Sequence, residues 1–195
     1  MAEAWYAPRT VNPSLQTTMP SSDPPSEARL RELAQWGVSL WRENRERYVS
    51  RAVPLPREMS AAMRPFFPAT LMEQIRYVQL DGEYVSLPQE DLRAFADFPR
   101  SEHQHGFMFL DLLVMNHAIT ERKLFHSLVH GVQIEKLGLH DYMLTYLRAL
   151  AVTRAYIGVP FEIQAFNLEA RYVTSPTEGF SVADEVELWL MKRLY

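Results

Sequence analysis

The stretch from 124 to 172, LFHSLVHGVQIEKLGLHDYMLTYLRALAVTRAYIGVPFEIQAFNLEARY, decides how this chain is read. Leu124, Phe125, Leu128, Val129, Val132 and Leu137 recur at three- and four-residue spacing, which marks one apolar helical face. Thr120 just upstream suits an N-cap, and Gly138 is a natural stop, so a helix is expected over about 120–137. Two more helices follow from the same stretch. One runs from about 140 to 157 and ends at Gly158. The other spans about 160–173 and opens on Pro160, whose missing N–H costs nothing in a first turn.

His126 and His130 stand four residues apart on the first of these helices, so both imidazoles can reach one cation. The face continues through Gln133 and Leu137, which sets Gln133 beside the pair, placed to orient a ligand or a bound water. Spacing alone does not separate a metal site from two hydrogen-bonded helix histidines.

Outward from this stretch the chain alternates helices with short extended runs. Ser26 caps an amphipathic helix carrying Leu30, Leu33, Leu40, Trp41 and Tyr48 to about residue 50, and the prolines at 54 and 56 end it. A short helix is expected through Met59–Met63. Residues 71–80 begin helical and turn extended from about Ile75, Asp81-Gly82 forms a turn, and Tyr84-Val85 pairs back. Residues 107–115, FMFLDLLVM, read as one buried strand interrupted by Asp111. Ser181 caps a last helix over about 181–194. Residues 1–25 hold five of the thirteen prolines and no apolar period, which predicts a flexible arm ahead of one domain over 26–195. The expected fold class is α+β, mainly helical, with a small sheet.

Composition narrows the function classes. The 195 residues are 47% hydrophobic, with net charge −4 and no cysteine. Cysteine-ligated metal, disulfides and thiol nucleophiles are therefore excluded, and any metal must sit on His, Asp or Glu. The acidic balance argues against nucleic acid as a partner. No apolar run has signal-peptide or membrane-spanning length, so a cytoplasmic protein without a membrane partner is expected, leaving room for a protein partner. Seven glycines and no phosphate loop speak against a nucleotide fold, and no Gly-x-Ser-x-Gly elbow is present.

Phe125, His126, Leu128, Val129, His130, Val132 and Gln133, followed by Pro160, Phe161, Glu162, Ala165, Phe166, Ala170, Arg171 and Tyr172, resemble a bacterial family of small zincin-like, metallopeptidase-like proteins. Phe66-Phe67-Pro68, Leu71 and Ile75-Arg76 extend the likeness upstream, so that it covers roughly 60–173. The resemblance implies a zincin-like core in which His126, His130 and Glu162 bind a divalent metal, zinc first, with a fourth position open to water or substrate. Glu169, seven residues after Glu162 and on nearly the same face, is an alternative ligand or a hydrogen-bond partner for an imidazole.

The chain departs from the family motif at one decisive place. The motif is His-Glu-x-x-His, and its glutamate is the general base that takes a proton from the metal-bound water. Here that position is Ser127, which cannot do so at neutral pH. Glu121 and Glu135 lie about two turns away along the helix, whereas His103, His105, His117 and Asp111 reach the site only if the fold brings them there. Three readings follow. The first is a metal-binding, metallopeptidase-like protein whose hydrolysis of a peptide or small molecule is lost or repurposed. The second is an Fe2+ enzyme using two histidines and one carboxylate as a facial triad. The third is a structural or interaction protein without metal.

Overall fold

The structure is a computed structural model that describes residues 24–85, 87 and 104–195. The expected arm therefore falls almost wholly outside the described residues, as does His103.

Helix α1 (Glu27–Val49) starts where Ser26 Oγ accepts from the Arg29 N–H, satisfying one of the free donors of the first turn. After it come β1 (Val53–Pro54), α2 (Arg57–Met63), α3 (Ala69–Gln74) and β2 (Arg76–Gln79). The hairpin strands β3 (Gly106–Phe109) and β4 (Leu112–Met115) lead into α4 (Glu121–Leu137) and α5 (Leu139–Thr153). A 3-10 turn at Tyr156–Gly158 then precedes α6 (Pro160–Thr174) and α7 (Val182–Met191). The fold is α+β and mainly helical, as composition and periodicity predict. Among the described residues no helix is long and apolar enough to cross a membrane.

The sheet has the order β1-β2-β4-β3, with β2 and β4 parallel and the other pairs antiparallel. The single strand expected over 107–115 is instead a hairpin that turns at Leu110 and Asp111. Leu110 takes the left-handed conformation (φ 61°), which a leucine adopts only when its surroundings impose it. Asp111 holds the turn by a two-pronged pair with Arg45 of α1, at 2.5 and 2.9 Å. Tyr84-Val85 does not pair back as a strand. The Val85 N–H donates to the Asn116 side chain at 2.9 Å, and one side-chain acceptor there replaces a ladder. The helix expected over 140–157 stops at Thr153, because Arg154 enters the left-handed region (φ 52°), and the last helix ends at Met191 rather than 194.

Alternation along the hairpin sends side chains to opposite faces. Phe107, Phe109, Leu112 and Val114 pack with Val78 against Leu40 and Tyr48 of α1. Met108, Leu113 and Met115 pack against Leu124, Phe125 and Leu128 of α4. Gly131 lets α4 lie close to the sheet: a Cβ there would stand 2.8 Å from the Met108 Cε. A third apolar cluster joins Leu33 and Val38 of α1 to Ile134, Met143, Leu147 and Phe161. Helix α4 thus has sheet on one side and α6 on the other, with its histidine face turned toward a cavity.

Candidate metal centre

Helix α4 begins at Thr120, whose hydroxyl accepts from the Lys123 N–H at 3.3 Å, and ends at Gly138 (φ 77°), both as the sequence predicts. Its buried face carries Phe125, fully inside and stacked on Tyr172 of α6 with ring centroids 4.6 Å apart. This packing fixes the rotation of α4 and brings His126 and His130 opposite Glu162, in the first turn of α6.

Three atoms converge. The Nε2 atoms of His126 and His130 are 3.2 Å apart, and Glu162 Oε2 lies 3.3 Å from the first and 3.4 Å from the second. Among the described residues this group of two histidines and one carboxylate could hold a metal ion.

Hydrogen-bond accounting shows what each atom presents. Gln164 Nε2 donates to the Glu185 carbonyl at 3.2 Å, so its Oε1 is an acceptor. Gln133 Nε2 donates to that Oε1 at 3.0 Å and to the Phe161 carbonyl at 3.1 Å. Gln133 therefore turns its Oε1 toward His130 Nδ1, at 2.8 Å, and Nδ1 must carry the proton. The Tyr142 hydroxyl, 3.3 Å from the same nitrogen, shares that proton weakly as acceptor. Glu169 Oε2 accepts from His126 Nδ1–H at 2.9 Å, while Arg122 holds the other oxygen of Glu169. Glu162 Oε1 accepts from the Tyr146 hydroxyl at 2.9 Å, and Tyr156 bonds the same carboxylate. What remains at the centre is three lone pairs, two from imidazoles and one from a carboxylate. Such a set is repulsive until a cation, a metal ion or a proton, lies between them.

The electrostatics say the same. Burial alone disfavours the His126 imidazolium, but Glu162 and Glu169 outweigh it and hold its pKa at about 9. Burial alone would likewise raise the pKa of Glu162, yet the histidines facing it depress it far below the ordinary carboxylate range. Glu169 is also lowered, burial being overcome by the hydrogen bonds from His126 and Arg122. Burial, with Glu162 adding to it, pushes the hydroxyls of Tyr142, Tyr146 and Tyr156 up, so all three stay protonated and Tyr146 stays a donor.

The structure brings Gln133 and Glu169 into hydrogen bonds with one imidazole each. Glu169 faces Nδ1 of His126 rather than the centre, so it sits as an orienting partner and not among the three converging atoms. Ser127 lines the cavity next to the histidines, and His105 lines the same cavity from the start of the hairpin. His117 stacks edge-on against His105 at 5.8 Å. Asp111 is taken by Arg45, and Glu121 accepts from the Tyr172 hydroxyl at 2.7 Å. Tyr146, Tyr142, Tyr156 and Arg122 belong to the centre, although sequence reading does not single them out. The one signal is Tyr142 and Tyr146 at four-residue spacing on an otherwise apolar face, which reads as core. No protein-family model, curated protein or solved structure matches this chain.

Proposed function

We propose that this chain is a zinc-binding protein on a metallopeptidase-like scaffold, with His126, His130 and Glu162 as ligands and a fourth position open to the cavity. The observation that carries the reading is the near-equilateral triangle of lone pairs, with sides of 3.2, 3.3 and 3.4 Å. A tetrahedral ion with bonds of about 2.0–2.1 Å sets its ligand atoms about 3.3–3.4 Å apart. An octahedral face, as in a facial triad of iron, brings them to about 3.0 Å. The spacing fits a tetrahedral zinc more closely than an octahedral iron face, which supports the zinc reading.

Zinc bound there would polarise a carbonyl and make a bound water more acidic. The chain supplies the frame for this: Gln133 and Glu169 fix the imidazole tautomers, and Tyr146 orients the carboxylate. It lacks the glutamate that would handle the proton, since Ser127 stands in its place. On this reading the metal site is kept while peptidase turnover is lost or redirected.

Metal analysis of the purified full chain after zinc equilibration and desalting tests this. Wild type should retain one zinc per chain, whereas His130→Ala and Glu162→Ala should retain almost none. Equal zinc in all three proteins, at any level, overturns the reading.

A further inference from the structure

The cavity beside the centre has a volume of about 630 Å³, the size of a small-molecule site. Helix α4 forms one wall and grades it along its axis. Lys123 comes first, then His126, Ser127 and His130, then Ile134, a span of about 16 Å at 1.5 Å per residue. At the first end Lys123 is half-buried, forms no ion pair with an acidic side chain among the described residues, and stands near His105. At the far end Ile134 meets Leu33 of α1 and Met143 and Leu147 of α5. The wall is cationic, then metal-binding, then apolar.

At Met108 the edge of the sheet is already occupied from within the chain. Asn116 N–H donates to the His105 carbonyl, so by alternation Phe107 and Phe109 bond inward to β4 and Met108 faces out from the edge strand. The Met108 carbonyl is already taken by the Trp41 Nε1–H at 2.9 Å. The Trp41 indole is itself held edge-on against Phe107 and Phe109, at 6.5 and 5.2 Å. An added strand would have to displace it.

We propose that the cavity binds an acyl amide or ester joining an apolar acyl chain to a small anionic head, of which an N-acyl amino acid is the simplest case. This rests on the zinc reading above. The acyl chain lies against α1 and α5, the carbonyl faces the metal centre, and the carboxylate meets Lys123. Lys123 lies just under one helical turn before His126, so the ammonium and the metal centre line neighbouring stretches of the same wall.

The test titrates the zinc-loaded full chain with N-octanoylglycine, octanamide and N-acetylglycine, followed by calorimetry and by the fluorescence of Trp36 and Trp41. N-octanoylglycine should bind at least about tenfold more tightly than either analogue, each of which lacks one end. Lys123→Met should abolish its advantage over octanamide and leave octanamide binding unchanged. Octanamide binding as tightly as N-octanoylglycine, or an unchanged ratio in Lys123→Met, overturns the anionic end. Tighter binding of an extended apolar octapeptide overturns the exclusion of polypeptide. A chain that takes up no zinc defeats the underlying reading, whereas a zinc-loaded chain indifferent to N-octanoylglycine defeats this proposal alone.

Discussion

Gln133 turns its amide oxygen to His130 Nδ1 at 2.8 Å, and so leaves the Nε2 of that imidazole as a bare lone pair aimed at His126 and Glu162. Gln133 is itself fully buried and held by Gln164 and the Phe161 carbonyl. Groups that orient a ligating histidine are commonly worth about 10–100-fold in metal affinity. Gln133→Met, which keeps the volume and removes the acceptor, should weaken zinc binding by about that factor. Competition against a fluorescent chelator measures it, and wild-type affinity in the variant would contradict the assignment.

Zinc uptake should be coupled to protons. His126 holds a proton up to about pH 9 in the metal-free chain, against 6.5 for an ordinary histidine. Zinc bound there would displace that proton, so binding near neutral pH should release about one proton per ion. Calorimetry in buffers of different ionisation enthalpy reads this directly. No buffer dependence would mean that His126 is already neutral.

The same shift sets the stability of the metal-free chain. A pKa raised on folding stabilises fully below the unfolded value and stops doing so as pH rises through the folded one. The contribution of His126 is therefore complete below about pH 6.5 and lost by about pH 9. Thermal melts should show the metal-free Tm falling across that window while the zinc-loaded Tm does not. Parallel curves for the two forms would count against the coupling.

Ser127 stands next to the first histidine, where the proposed scaffold would carry a general base. It lines the cavity beside both histidines, so Ser127→Glu should place a carboxylate at the position from which a general base acts. A base so placed is typically worth about 10²–10⁴ in rate. Assays of the zinc-loaded variant against acyl amides and esters should show a gain of that order over wild type. No gain would count against a hydrolase-like use of the centre.

Packing holds the centre in register. Phe125 is fully buried, stacks on Tyr172 and lies edge-on to Phe66 and Phe67. Truncation to alanine leaves a cavity between α4 and α6, and should cost about 3–5 kcal/mol. Chemical denaturation measures it. A loss under about 1 kcal/mol would show that the two helices do not depend on this contact.

Much of this was legible in the sequence because it is local. Caps at Ser26, Thr120 and Ser181, the stop at Gly138 and the proline opening α6 each announce themselves by residue type. The histidine pair follows from helical periodicity, and Gln133 from its continuation. Other features were not legible, because they depend on distant partners. Leu110 lacks any turn chemistry and is held in the left-handed region by a hairpin that Arg45 braces from α1. Tyr146 becomes a donor to Glu162 only once α5 and α6 meet. Trp41 reads as an ordinary apolar helix residue until its indole is seen bonded to the Met108 carbonyl, 67 residues away in sequence.

Zinc-edge X-ray absorption of the reconstituted full chain tests the central claim most directly. The account predicts a four-coordinate ion with two imidazoles and one carboxylate oxygen at about 2.0–2.1 Å, and one further light atom. It also predicts that the second imidazole disappears in His130→Ala. An ion surrounded by six oxygens, or a spectrum unchanged by that substitution, would contradict it.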